Sequence, residues 1–210
     1  MTLLRRVLPR FARLATNAVV RDSRLWRIFR APLRASFDAL APHWHEVISP
    51  EHLAPLEAAL DALEGEPRRV LDLGTGTGRA VFAVARRFPR ASVVGADISS
   101  EMVAHARADV PAELASRVRF DVADADALPY SDGEFDLVTL VNMIPFFDEL
   151  ARVTGPGGRV AFSFSRGEET PIYVPLDRLR SELTRRGFDE FADFRAGSGV
   201  ALLARKRGAR

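Results

Sequence analysis

Between positions 70 and 81 the chain reads VLDLGTGTGRAV. A short apolar run meets glycines at 74, 76 and 78, and a helical pattern follows. Glycines remove side chains where a strand turns into a helix, so a ligand can approach the backbone closely. The helix that begins near Arg79 directs its free N–H groups into the same space. A dinucleotide fingerprint would read G-x-G-x-x-G. Here the spacing is G-x-G-x-G, and Arg79 stands where that motif places its third glycine. Asp72, two residues before the first glycine, puts an acid at the strand's end. A carboxylate there suits a cationic amino-acid moiety better than a pyrophosphate. The stretch predicts a nucleotide site, with a ligand-free glycine turn as the alternative.

The same stretch begins an alternation of strands and helices. Strands are predicted at 70–73, 92–96, 118–122, 135–141 and 159–164, with helices over 79–88 and from the serine cap before Glu101. The run at 135–141 is apolar on both faces, as a central parallel strand should be. A helix over about 176–186 precedes FDEFADFRAGSGVALLARK, which reads as two strands around AGSG. Strands joined so tightly must be antiparallel. The expected fold is α/β: a Rossmann-like three-layer sandwich, its sheet seven-stranded and mostly parallel, with one antiparallel strand near the C-terminus and helices added at the N-terminus. The organisation expected is a basic helical arm and lid over 1–65 and a ligand-binding domain over 66–210.

Composition narrows the function classes. The 210 residues suffice for one domain with an appendage, and 47% are hydrophobic. With no cysteine, disulfides, thiolate metal sites and cysteine nucleophiles are excluded. No apolar run approaches the roughly 18 residues that cross a bilayer. The net charge of +2 is unevenly spread. Residues 1–34 hold nine arginines and one acid, Asp22, whereas 35–204 carry 17 basic and 27 acidic residues. An acidic body with basic ends argues for a small-molecule substrate, with no nucleic acid expected, and for a separate role of the arm. Leu25, Ile28 and Phe29 read as one apolar helical face of that arm. Three readings stay open for it: a helix packed on the main domain, a contact with an anionic membrane or a partner, or a transit segment. Pro50 and Glu51 suit the start of a further helix carrying Leu53, Leu56, Leu60 and Leu63.

Two further acids follow strands. Asp97 ends the second strand, where a carboxylate can accept hydrogen bonds from both ribose hydroxyls, a device nicotinamide enzymes share. Asp124 falls just after the third, where it can accept the exocyclic amine of adenine, and Ala125 keeps the slot open. LPYSDGEFDLV then leads into the fourth strand, and PGG at 156–158 into the fifth. The order D-x-G-x-G-x-G, acid, D-A-x-x-L-P, G-x-F-D-x-V and P-G-G closely resembles the class I S-adenosylmethionine-dependent methyltransferases, over about residues 66–205. The likeness is strongest to the type that acts on small molecules and quinone precursors.

The resemblance implies S-adenosylmethionine as cofactor and a small-molecule methyl acceptor. It implies that Asp72, Gly74, Thr75, Gly76 and Gly78 hold the methionine portion with the nearby backbone. Asp97 would take the ribose, Ile98 would pack on adenine, and Asp124 with Ala125 would read its edge. Asn142, just past the fourth strand, would lie where the methionine amino group and the acceptor meet. No catalytic residue is assigned. His43 and His45, in PHWHEV beside Glu46, are candidates for a base, with a structural role as the alternative; Trp44 could cover an apolar acceptor, and no metal is expected. After strand four the chain reads NMIPFF rather than the Asn-Pro-Pro-aromatic turn of enzymes that methylate DNA adenine or protein glutamine. The insertions after strands four and five are short, so the pocket is small and open or completed by residues 1–60, with Phe146 and Tyr173 as candidate walls. A non-catalytic S-adenosylmethionine-binding protein, a nicotinamide oxidoreductase, and a methyltransferase for nucleic acid or protein are the other classes weighed. The expected location is cytoplasmic, with peripheral membrane contact if the arm makes one.

Overall fold

A computed structural model describes residues 2–49 and 51–208. Seven strands, β1 (Arg69–Leu73), β2 (Ser92–Asp97), β3 (Val118–Val122), β4 (Phe135–Val141), β5 (Thr154–Phe164), β6 (Phe188–Ala196) and β7 (Gly199–Lys206), form one sheet in the order β3-β2-β1-β4-β5-β7-β6. β1 pairs in parallel with both β2 and β4, and β7 alone runs antiparallel, against β5 and β6. The expected sheet is therefore the observed one. Alternate residues of each strand serve opposite faces. Leu71, Leu73, Val138 and Leu140 pack under α7 (Phe147–Val153) and α8 (Leu176–Thr184). Val70, Val93 and Leu137 pack under α4 (Ala54–Asp61), α5 (Arg79–Arg87) and α6 (Ser100–Ala108). These are the three layers. Ser99 caps α6 by accepting from the Met102 N–H at 3.1 Å.

α4 lies before the expected division at residue 65, yet Leu56 and Leu60 are part of the core beneath the sheet. The expected start of this helix at Pro50 lies outside the described residues. The observed start is Ala54, and Leu53 and Leu63 flank the helix as half-buried neighbours of that core.

The arm is built of α1 (Thr2–Arg21) and α2 (Trp26–Leu40), followed by the four-residue α3 (Trp44–Val47). Of the three readings of the arm, its packing on the main domain is what the structure contains. Its apolar face differs from the expected one. Ile28 is 67% exposed, whereas Trp26 and Leu33 are buried. Trp26, Phe29 and Leu33 follow the three- and four-residue spacing that keeps one helical face toward the domain, and Ile28 falls off that face. Both ends of α2 are tied down. The Trp26 indole donates to Asp124 Oδ1 at 2.7 Å, and Ser99 Oγ donates to Asp38 Oδ1 at 2.6 Å.

Leu33 is 2% exposed in the cluster that joins the arm to Ala125 and Ile144. Leu33→Ala should lower unfolding stability by about 2–5 kcal/mol in urea titration, the cost of a core truncation. A change below about 0.5 kcal/mol, the surface range, would mean that α2 is not packed on the domain in solution.

Candidate functional site

The strand order reverses between β1 and β4, and ligands in open α/β sheets bind outside the carboxyl ends at such a point. Here a cavity of about 630 Å³ opens there. Its floor includes Asp72 near the end of β1 and Gly74, Thr75 and Gly76 after it, Asp97 at the end of β2 and Ile98 after it, Ala125 after β3, and Asn142 after β4. Eight of the ten expected cofactor-binding residues thus share one wall.

The glycine loop needs its glycines for backbone geometry. Gly74 and Gly78 have φ of 68° and 84°, in the left-handed region. A Cβ at Gly74 would lie 2.6 Å from Met143 Sδ, and one at Gly78 would lie 2.7 Å from Phe120. Gly78 does not line the cavity; it sets the loop against Phe120 and begins α5. The Gly76 N–H donates to Asp97 Oδ2 at 2.8 Å, and the Ser99 N–H to Asp97 Oδ1 at 2.9 Å. Burial raises the Asp97 carboxyl above its ordinary range, and these N–H groups pull against that rise.

Asp72 is 1% exposed, and Thr139 Oγ1 donates to its Oδ1 at 2.7 Å. Burial pushes its carboxyl up to about 6, despite that hydrogen bond. Asp124 does not line the cavity. Trp26 and the Asp126 N–H both donate to its Oδ1, and Arg30 stands 3.6 Å from Oδ2.

The opposite wall is apolar and comes from the arm and α3: Leu33, Phe37, Leu40, Trp44 and Ile48 take part. Of the two alternatives for the pocket, the structure contains the one in which residues before 60 line it. Phe146 and Tyr173 do not line it. Phe146 packs edge-on against Trp26, and Tyr173 against Phe164. His43 and His45 do not line it either. Of the short α3, Trp44 and Glu46 line the cavity, and His43 Nδ1 sits 3.1 Å from Glu46 Oε1.

The histidine that lines the cavity is His52, which the sequence reading passed over. Burial, and then the charge of Arg79, push its pKa down to about 4. No local pattern marks it, because its partner, Asn142, lies ninety residues onward.

Residues 70–158 match the methyltransferase domain family. The chain carries a methyltransferase domain. A demethylmenaquinone methyltransferase of Thermus thermophilus is 46% identical over 106 residues, 47% of this chain and 48% of that protein. A malonyl-[acyl-carrier protein] O-methyltransferase of Halorhodospira halophila is 38% identical over 152 residues, 68% of this chain and 50% of that protein. The chain thus spans about half the length of these relatives. A solved phosphoethanolamine N-methyltransferase of Haemonchus contortus, in complex with S-adenosyl-L-methionine, shares the fold at a TM-score of 0.59 and 18% identity, covering 75% of this chain and 52% of that one. The methyltransferase domain so identified contains the glycine loop, Asp97, Asp124 and Asn142, while α1–α4 and His52 precede it.

The raised Asp72 pKa makes a stability prediction. A carboxyl raised in the folded state favours folding below its unfolded value of 3.8, and that contribution is lost as pH rises through about 6. Asp72→Asn should therefore gain stability relative to the parent across that window, by on the order of 3 kcal/mol. Urea titrations at several pH values would read this gain; parallel stability curves for the two proteins would contradict the raised pKa.

Proposed function

We propose that the chain transfers a methyl group from S-adenosylmethionine to a small, largely apolar acceptor. The observation that carries this reading is the division of the cavity: a backbone loop with carboxylates on the strand side, and aromatic and aliphatic side chains of the arm on the other. The name of the Thermus relative, a demethylmenaquinone methyltransferase, supports an acceptor of this kind. The neighbour solved with S-adenosyl-L-methionine supports the cofactor.

The spare lone pairs of Asp97 beside the glycine loop, at the mouth of the cavity, fit that cofactor. Asp72, Thr75 and the loop backbone hold the methionine portion, where an ammonium group would favour the ionised Asp72. Gly78 keeps the loop in place. Asp97 accepts the ribose hydroxyls on lone pairs that Gly76 and Ser99 leave free. Ile98 and Ala125 enclose adenine, and its exocyclic amine takes Asp124 in place of the Trp26 indole. Asn142 divides the methionine end from the acceptor. When bound, the cofactor supplies a methyl group already activated on a sulfonium. The chain's tasks are alignment and exclusion of water, and the roof made by α1–α3 serves both.

Calorimetry with S-adenosylmethionine and with NADH tests this reading. Micromolar binding of the first alone is expected, weakened about ten- to a hundredfold in Asp97→Ala, the loss of hydrogen bonds to a charged group. NADH binding would contradict it. Trp26→Phe adds a second check. It should lower the melting temperature of the free protein, yet S-adenosylmethionine should stabilise the variant more than the parent, since no indole has to be displaced from Asp124.

The outer face of the arm has its own proposed partner. Leu14 and Ile28 are 58% and 67% exposed among Arg10, Arg21, Arg24, Arg27 and Arg34. No described helix is long and apolar enough to cross a membrane. Exposed apolar residues on helices that also carry exposed arginines suit peripheral contact with anionic lipid, from the cytoplasm. Vesicles containing phosphatidylglycerol should sediment the parent and release Leu14→Asp/Ile28→Asp; equal sedimentation of both proteins would refute the contact.

A further inference from the structure

The acceptor end of the cavity has a polar corner for which the cofactor has no use. Asn142 sits there at φ 49°, a conformation that few residues with a side chain adopt. Its side chain is held from one direction. The Ser165 N–H donates to Asn142 Oδ1 at 2.9 Å, so the amide cannot be turned over, and Asn142 Nδ2 donates to Ser165 Oγ at 2.9 Å. The same Nδ2 faces His52 Nδ1 at 3.5 Å. An amide nitrogen has hydrogens to give and no lone pair to receive one. His52 Nδ1 must therefore be the unprotonated nitrogen, and the neutral ring carries its hydrogen on Nε2.

Neutrality follows from the surroundings. His52 is half-buried, and the charge of Arg79 opposes its protonation. Such a ring is a poor base near neutral pH and a ready donor. Two guanidinium groups stand at the same cavity. Arg79 and Arg166 line it, both are exposed, and neither meets a carboxylate among the described residues. The remaining walls nearby are the apolar Trp44, Ile48 and Ile172, with one carboxylate, Glu46, on the α3 side.

We propose that His52 Nε2–H and Arg79, with Arg166 at the rim, form a receiving site for an anionic oxygen, so that the methyl acceptor is an acid on an apolar body. This deepens the methyl-transfer reading and rests on it. The chemistry is shared by two sources, a carboxylate and a phenolate or enolate. A carboxylate arrives ionised, whereas a phenol or enol gives its proton to solvent, and the donors and positive charge of the corner favour the anion that remains. A cationic amine would meet two guanidinium groups and be turned away.

The test uses the whole chain, with 1-naphthoate, 1-naphthol and 1-naphthylmethylamine as probes of one shape and different charge. Calorimetry in the presence of S-adenosylhomocysteine should show binding of naphthoate, of naphthol, or of both, and none of the amine. Whichever acid binds more tightly names the source of the oxygen. His52→Leu should weaken acid binding about tenfold or more, and His52→Gln, which restores an N–H donor, should recover part of that loss. Arg79→Gln should weaken it as well. Nitrogen-15 NMR of imidazole-labelled protein should show His52 as the Nε2–H tautomer, a readout independent of turnover.

Equal acid affinity in the parent and His52→Leu, preferred binding of the amine, or an Nδ1–H tautomer would each overturn the proposal while leaving S-adenosylmethionine binding intact. Failure of the parent to bind S-adenosylmethionine or S-adenosylhomocysteine would instead overturn the methyl-transfer reading, and this inference with it.

Discussion

Two parallel strands, β1 and β4, lie side by side at the centre of the sheet, and the chain leaves them toward opposite edges. From β1 it travels outward through β2 to β3; from β4 it travels through β5 to the terminal pair. The loops that follow β1 and β4 therefore diverge, and no helix can fill the gap between them. Everything in the site hangs on that gap. Asp72 and the glycine loop reach it from β1, Asn142 reaches it from β4, and Asp97 closes its side from β2. Gly78 allows the loop to lie against Phe120, so the first turn of α5 starts at the depth where its N–H groups meet the cavity.

A crevice of this kind is open to water until something covers it. Here the cover comes from α1–α3 together with the short segments after β4 and β5, which add Met143, Ile144, Arg166 and Ile172. α2 is anchored beside the two acids proposed to meet the cofactor, Asp97 and Asp124: Trp26 bonds to Asp124, and Asp38 to the residue that caps α6. Its buried face, Trp26 to Leu33, packs with Ile98 and Ala125. The roof thus joins the domain through the groups proposed to meet the cofactor, and so stability of the arm and occupancy of the site are linked.

Much of this was legible in the chain because the signals are local. Short apolar runs alternating with helical patterns marked the strands, the AGSG turn forced an antiparallel final strand, Ser99 announced its helix, and the spacing of three glycines separated this loop from the dinucleotide motif. What was not legible depends on distant partners. Arginines flank both candidate faces of α2, so the sequence pattern around Leu25, Ile28 and Phe29 did not reveal that Trp26 and Leu33 turn inward. His43 and His45 drew attention by their spacing, whereas the residues that the short α3 gives to the cavity are Trp44 and Glu46. His52 has no spacing to notice. Its environment comes from Asn142 and Arg79, which the fold brings to it from the far side of β1. Phe146 and Tyr173 were large and well placed in sequence, but the core claimed both.

The central claim is that the arm completes the site, so that ligand and roof stabilise each other. Hydrogen–deuterium exchange of the whole chain, with and without S-adenosylmethionine, addresses it directly. The account predicts slower exchange on binding both in the loop around Gly74–Gly78 and along α2 between Trp26 and Leu40. Protection of the loop with α2 unchanged would contradict it, because the arm would then be a neighbour of the site and not its roof.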